Sequence, residues 1–348
     1  MPRSTTTEPM TQDLKSAAAT LVAALAGAAL AALAGFPAGA LIGSTLGVGA
    51  IAVAGVRVDL PPRLRDLAFA TIGISLGSGI DDRLFGQLGT WALSLTILVA
   101  SLIATIVAGR MILMRGFGLD AGTATLGSAP GTMSNAIAVA LDGHGDAATV
   151  MVLQLMRLLV LVIAVPPLAT ALGGSADGTA DTFRSMPLAV FAVLLGLALA
   201  LGHVGARAGL PAASLLAGMA LSATGHATGL VAGAAPPWAI FAAFAITGAV
   251  LSTRMSRVTA AEVKRSALAG LALVATSLVI SLGFALLAQD VTGLHFAQVW
   301  IAYAPGGVEA MAAIGLSLGY DPAYVAVHHF ARIFALLLIV PLALRLWR

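Results

Sequence analysis

Ala304–Pro305–Gly306–Gly307–Val308–Glu309, with the helix-forming run after it that carries Arg332, is the stretch from which the fold is read. It places a Pro-Gly break, a carboxylate and a guanidinium in an apolar surround, where a bilayer tolerates each of them least. The pattern occurs twice. Ala129–Pro130–Gly131–Thr132–Met133–Ser134 precedes Arg157 in the same way. Pro130 and Pro305, Gly131 and Gly306, Asp146 and Asp321, Arg157 and Arg332, and Pro166 and Pro341 are each 175 residues apart. At that offset residues 129–168 match their partners at 13 of 40 positions without a gap, which marks two copies of one unit.

The composition says where such a unit lives. Of 348 residues, 59% are hydrophobic and 9% charged, with a mean hydropathy of +1.00. A soluble domain carries about 25% charge, so this is an integral membrane protein. The net charge of +3 comes from basic residues in loops, where topology accounts for them and no nucleic-acid partner is needed. The absence of cysteine excludes disulfides, thiolate metal sites and cysteine catalysis. Residues 1–14 are polar and read as a disordered cytoplasmic tail rather than a signal peptide.

Apolar runs long enough to cross a bilayer (about 20 residues) cover 16–34, 37–56, 66–80, 87–109 and 147–170, and again 186–202, 211–231, 237–252, 266–288 and 323–344. The third run of each set is short and rich in Gly and Ser. Two segments remain, 119–142 and 296–318, each with a Pro-Gly near its middle. Each half is about 15 Å as helix, half a bilayer. A re-entrant hairpin with its tip near the midplane fits, and a kinked full crossing is the alternative.

Charge favours the hairpins. With five crossings per unit the second copy is inverted, so equivalent loops change sides and basic residues follow the inner copy. Loop 57–66 holds Arg57, Arg63 and Arg65, while its equivalent, 226–236, has no Lys or Arg. Loop 81–86 has only Arg83 beside Asp81 and Asp82, while its equivalent holds Arg254, Arg257, Lys264 and Arg265. Loop 110–120 carries Arg110 and Arg115 against only His295 in 289–296. The expected fold is all-α: two inverted-topology repeats, 15–172 and 186–346, joined by a linker at 173–185, with ten crossings, two opposed hairpins and both termini cytoplasmic.

Arg157 and Arg332 lie eleven residues into their helices, near the bilayer centre, where a charge must face a partner or a cavity. Two readings stand side by side: each caps carbonyls at its hairpin tip, or each binds substrate. Glu309 breaks the symmetry, since Ser134 is its counterpart. It is either an ion-pair partner of Arg332 or Arg157, or the protonatable or cation-coordinating group of a coupled transporter. Ser134 and Asn135 offer neutral hydrogen bonds to a solute or cap the half-helix after Pro130–Gly131. Backbone N–H groups freed after Pro-Gly, at Thr132 as at Gly307, make an anion site where two helix starts meet. Asp146 and Asp321 read as helix N-caps. Gln154 and His329 sit three residues before the arginines, on the same helix face. His328 and His329 are adjacent, share no face, and form no metal pair by themselves; His144, His203, His226 and His295 fall in predicted loops.

The motifs from Ala129 to Arg157 and from Ala304 to Arg332, with Tyr320–Asp321–Pro322–Ala323 and the closing Val340–Pro341, resemble the AbrB-duplication membrane protein family, bacterial proteins also labelled ammonia monooxygenases. The resemblance covers about 15–346. Its labels imply gene regulation or ammonia oxidation, but the chain shows neither a DNA-binding face nor a metal cluster. At fold level the plan is similar to glutamate/sodium and citrate/sodium symporters, whose re-entrant loops line the substrate site. The expectation is a secondary transporter of a small, anionic organic solute coupled to H⁺ or Na⁺, in the bacterial inner membrane, without a cofactor. Pro130, Gly131, Thr132, Ser134, Asn135, Pro305, Gly306, Gly307, Glu309, Arg157, Arg332, Gln154 and His329 form its site. The lipid bilayer and the solute are its partners, and related architectures imply a homodimer. The alternatives are a membrane-bound metal-dependent monooxygenase and a membrane-embedded regulator of gene expression.

Overall fold

The computed structural model describes residues 8–79, 83–131, 133–173, 185–256 and 258–346. They form helices, with one isolated bridge between Ser185 and Ala234. The first copy contributes α1 (Glu8–Leu33), α2 (Gly39–Val53), α3 (Pro62–Gly77), α4 (Arg83–Phe117), α5 (Ala121–Ser128), α6 (Met133–Val139) and α7 (Ala147–Ala171). The second contributes α8 (Leu188–Arg207), α9 (Ala213–Ala227), α10 (Pro237–Met255), α11 (Ala260–Thr292), α12 (Phe296–Tyr303), α13 (Val308–Ser317) and α14 (Pro322–Leu346). A π-helical turn, Ala140–His144, extends α6.

Local chemistry sets the ends of these elements. Pro62 and Pro237 occupy the first turn of α3 and α10, where no N–H is needed. Asp120 accepts from Thr123 N to cap α5, and Asp146 accepts from Ala148 N to cap α7. The Thr149 hydroxyl, chiefly, holds the Asp146 carboxyl below the usual range. Thr259 and Glu262 close a capping box on α11. Ala38 and Ala212, just ahead of α2 and α9, both adopt left-handed backbone, with φ of 53° and 48°.

Seven helices (α1, α4, α7, α8, α10, α11 and α14) are long and apolar enough to cross a membrane, and the protein is a multi-pass membrane protein. The expected crossings at 37–56, 66–80 and 211–231 correspond to α2, α3 and α9, of only 15, 16 and 15 residues. At 1.5 Å per residue these span about 22–24 Å, short of a full hydrocarbon core of about 30 Å. Other helices overrun their apolar runs. The expected tail ends early, because α1 begins at Glu8 and residues 8–14 are helical. Arg110 and Arg115 lie on α4 rather than in a loop, and Lys264 and Arg265 lie in the first turns of α11. His203 and His226 are likewise helical, at the ends of α8 and α9. Apolarity stops at the lipid surface, whereas helical hydrogen bonding continues into water. Residues 1–7 of the tail, 174–184 of the linker, Asp81, Asp82, Thr132 and Arg257 lie outside the described residues.

The two copies exchange partners. α3 packs on α9, and reciprocally α10 packs on α2. Glycine permits both approaches: a Cβ at Gly73 would lie 2.1 Å from Leu215 O, and one at Gly248 would lie 2.4 Å from Leu41 O. Lipid tails supply no hydrophobic gradient between helices, so close backbone contact of this kind is what binds the copies.

Each Pro-Gly segment folds back on itself. Asp146 N donates to Thr123 Oγ1 (2.7 Å), tying the end of the first segment to its start. Asp321 N donates to Gln298 Oε1 (3.2 Å), 175 residues on. In each segment the end thus lies back against the start. Their bases sit at opposite ends of α7. Asp146 caps its first turn, and Gly173, just past its last, lies against the ring of His295 at the base of the second hairpin. Gly73→Val and Gly248→Val are expected to destabilise the purified protein by about 1–3 kcal/mol through overpacking. Gly196→Ala, with nothing within 4 Å of the new Cβ, is expected to leave the melting temperature unchanged or higher.

Candidate functional site

A helix broken inside a buried core leaves carbonyls without intrahelical partners. In the first hairpin these carbonyls meet α7. Arg157 donates to Gly127 O (3.4 Å) and Ala129 O (3.2 Å) and to Gln154 Oε1. Gln154 Nε2 donates to Leu126 O (2.8 Å) and Ala129 O (2.9 Å). The second hairpin repeats the arrangement on α14. Arg332 donates to Ala304 O and Gly306 O. His329 donates from Nε2 to Ile301 O (3.0 Å), the equivalent of Leu126 O. Gln154 and His329 therefore do one job with different chemistry. All four side chains are buried, and the bracing role of the arginines is present in both copies. Among the described residues no carboxylate lies within 4 Å of either guanidinium. The ion pair considered for Glu309 is thus not formed.

The tips converge. A Cβ on Gly131, whose φ is 97°, would lie 3.2 Å from Arg332 Nε, so the first tip stands against the brace of the second. Beside this meeting point is a cavity of about 840 Å³. Gly131, Asn135, Gln154, Arg157, Gly307 and Glu309 line it. Pro130, Pro305 and Gly306 are buried at the tips, and His329 and Arg332 are buried behind them. Thr132 is outside the described residues, and so is the side chain of Ser134.

Three features set the electrostatics. Gly307 offers no side-chain cap to α13, whose first intrahelical bond is Met311 N to Gly307 O (2.9 Å). The N–H groups of Val308, Glu309 and Ala310 precede that bond and carry the positive end of the helix dipole, and Gly307, Val308 and Glu309 line the cavity. Arg157 Nε is buried without a hydrogen-bond partner. Arg63, Arg65 and Arg254 line the cavity with Asp66, and Arg63 and His203 are exposed at its mouth. Asp66 is held by Arg65 (2.9 and 3.0 Å). Glu309 is the other carboxylate of the lining, which also holds Arg157, Arg63 and Arg254. The sequence had assigned Arg63, Arg65 and Arg254 to topology alone; the pairing of two basic stretches on one side was the available signal.

A second polar cluster escaped the sequence reading. Ser94 Oγ on α4 lies 2.8 Å from Tyr324 Oη, 2.9 Å from His328 Nε2 and 3.1 Å from Tyr303 Oη. His328 and His329 diverge as adjacent helix residues must, the first to this cluster and the second to Ile301 O. Among the described residues no three His, Asp or Glu side chains gather as a metal-ligand group.

Comparison with known proteins places this geometry among relatives. The family model described as "Transition state regulatory protein AbrB" matches residues 40–348. A protein of Escherichia coli (strain K12) named "Putative regulator AbrB" is 25% identical over 294 residues, covering 83% of this chain and 84% of its own length. YhjN of Bacillus subtilis (strain 168) is 24% identical over 292 residues, covering 78% of this chain and 75% of its own length.

The brace makes a specific prediction. His329→Gln, which copies Gln154, is expected to keep the wild-type melting temperature. His329→Ala strands the Ile301 carbonyl and is expected to cost about 1–3 kcal/mol. Equal melting temperatures for the two variants would remove the bracing role.

Proposed function

The chain belongs to the transition state regulatory protein AbrB family, and on that premise we propose that it is a secondary active transporter of a small, anionic organic solute, coupled to H⁺ or Na⁺. The observation that carries this reading is the uncapped start of α13 and the unpartnered Nε of Arg157 in one cavity. Free N–H groups and a guanidinium side chain lining the same space are complementary to a carboxylate or phosphate. The basic mouth favours entry of an anion over a cation.

The hairpins, entered from opposite ends of α7, support a re-entrant pair in an inverted repeat, the plan on which alternating access is built. Arg57, Arg63, Arg65, Arg254 and Arg265 then lie on the cytoplasmic side of the inner membrane with both termini, as the positive-inside tendency requires. In this arrangement Arg157 and Arg332 hold the tips, Asn135 and the α13 amides bind the solute, and Glu309 carries the coupling ion. Pairing into a homodimer would use the lipid-facing helices. The family description and the name of the E. coli relative favour a regulatory reading instead. A metal-dependent monooxygenase gains no three-residue donor group from the described residues.

The test begins with thermal stabilisation of purified protein against small organic anions and cations, with and without Na⁺ and across pH. A ligand at 100 times its Kd adds about 2.7 kcal/mol. Anions are expected among the hits, and a panel in which only cations or metals stabilise would end the reading. With the solute in hand, Glu309→Gln is expected to fold normally yet lose gradient-driven uptake into proteoliposomes. Undiminished driven uptake by that variant would remove Glu309 from coupling.

A further inference from the structure

The Ser94 cluster is short of one proton, and the shortage can be counted. It contains five polar contacts. His328 Nδ1 lies 2.9 Å from Tyr324 O, and Tyr303 Oη donates to Ser94 O. The other three join Ser94 Oγ to His328 Nε2, Tyr324 Oη and Tyr303 Oη. A carbonyl only accepts, so Nδ1 must carry a hydrogen and Tyr303 must spend its single hydrogen on Ser94 O. With a neutral imidazole the four side chains supply four hydrogens for five contacts. If Ser94 donates to His328, two oxygens face each other across the Ser94–Tyr303 contact with nothing between them. If Ser94 donates to Tyr303, the lone pairs of Nε2 and Oγ face each other instead. One added proton on Nε2 completes the set. His328 and Tyr324 then donate to Ser94 Oγ, Ser94 donates to Tyr303, and Tyr303 donates to Ser94 O. The serine oxygen makes three bonds, the number that one hydrogen and two lone pairs allow.

We propose that Ser94, Tyr303, Tyr324 and His328 form a proton-binding site, separate from the cavity, that takes one proton on His328 and couples it to the position of the second hairpin. The ligand is H⁺, and the change is a protonation with no bond broken elsewhere. Three elements meet at this proton: α4 through Ser94, α12 through Tyr303, and α14 through Tyr324 and His328. Tyr303 is the last residue of α12, next to the Ala304–Pro305–Gly306 tip. Losing the proton leaves either the Ser94–Tyr303 or the Ser94–His328 contact without a hydrogen, and loosens the junction of α4 with the arm of the hairpin and α14.

The first copy shows that the fold does not require this cluster. Its equivalent positions hold Ala269, Ser128, Thr149 and Leu153, and its tip carbonyls accept from Arg157 and Gln154. Ser94, Tyr324 and His328 are fully buried and Tyr303 is 2% exposed, a costly place for polar groups without a task. The titratable and charged groups around His328 are Tyr303 from α12, and Tyr324, His329 and Arg332 on its own helix, with Asp321 just ahead of that helix. From α4 come Ser94 and Trp91, which do not titrate; Trp91 meets Tyr324 edge to face at 5.6 Å. Burial opposes the added charge, and the completed hydrogen bonds favour it.

The chain has six histidines, so ring-¹⁵N NMR of the whole detergent-solubilised protein resolves the question. One resonance pair, absent in His328→Gln, is expected to change from one protonated nitrogen to two as pH falls from about 8 to about 4. Tyr303→Phe removes the acceptor of the serine hydrogen and is expected to lower proton affinity about tenfold, moving the transition down by about one pH unit. Ser94→Ala serves as a second variant with the same expected direction should Tyr303→Phe fold poorly. A His328 that keeps a single ring proton at every pH where the protein stays folded overturns the proposal. So does a transition that neither variant moves. As a statement about proton binding the inference does not depend on transport. A titrating His328 in a protein that carries no solute would keep it while ending the transporter reading.

Discussion

Everything in this molecule answers to one constraint: a helix interrupted inside a bilayer exposes carbonyl groups that only the protein can satisfy. Arg157 and Arg332 meet that demand at Ala129 O and Ala304 O, with Gln154 and His329 one turn earlier on the same helices. A guanidinium suits the task because its planar fork reaches two carbonyls at once and it never runs out of donors. The cost of burying it is met by the carbonyls it relieves. From this follow the depth of the arginines, the burial of α7 and α14 beside the tips, and the close approach of Gly131 to Arg332.

Symmetry supplies the frame and its breaking supplies the chemistry. The braces, the hairpin bases and the glycine contacts of α3 and α10 recur in both copies. Glu309 opposite Ser134, and the Ser94 cluster opposite Ala269, Ser128, Thr149 and Leu153, do not. The second hairpin thus carries both the carboxylate in the cavity and the buried histidine behind it, while the first offers neutral groups. Two hairpins of similar build therefore differ in the ionisable groups that they carry.

Much of this was legible in the chain. The 175-residue offset and the two Pro-Gly breaks marked both hairpins, and the three-residue spacing put Gln154 with Arg157 and His329 with Arg332. Capping was readable at Asp146, where a carboxylate precedes a helix. Helix lengths were not: hydropathy reports where lipid ends, and α4 and α11 run on for 35 and 33 residues. The Ser94 cluster was invisible because its members come from three separated elements, and a lone serine in an apolar run has no periodic mark. Arg63 and Arg254 were visible as charges but not as cavity walls, since that depends on how α3 and α10 bring their ends to one mouth.

The exchange of partners makes the two units complements rather than independent bodies. Half of this protein alone would leave the inner faces of α2 and α3 without the helices that cover them, and its hairpin tip without an opposite. A residue that differs between the units, as Glu309 does from Ser134, therefore acts on one shared structure and not on its own half alone.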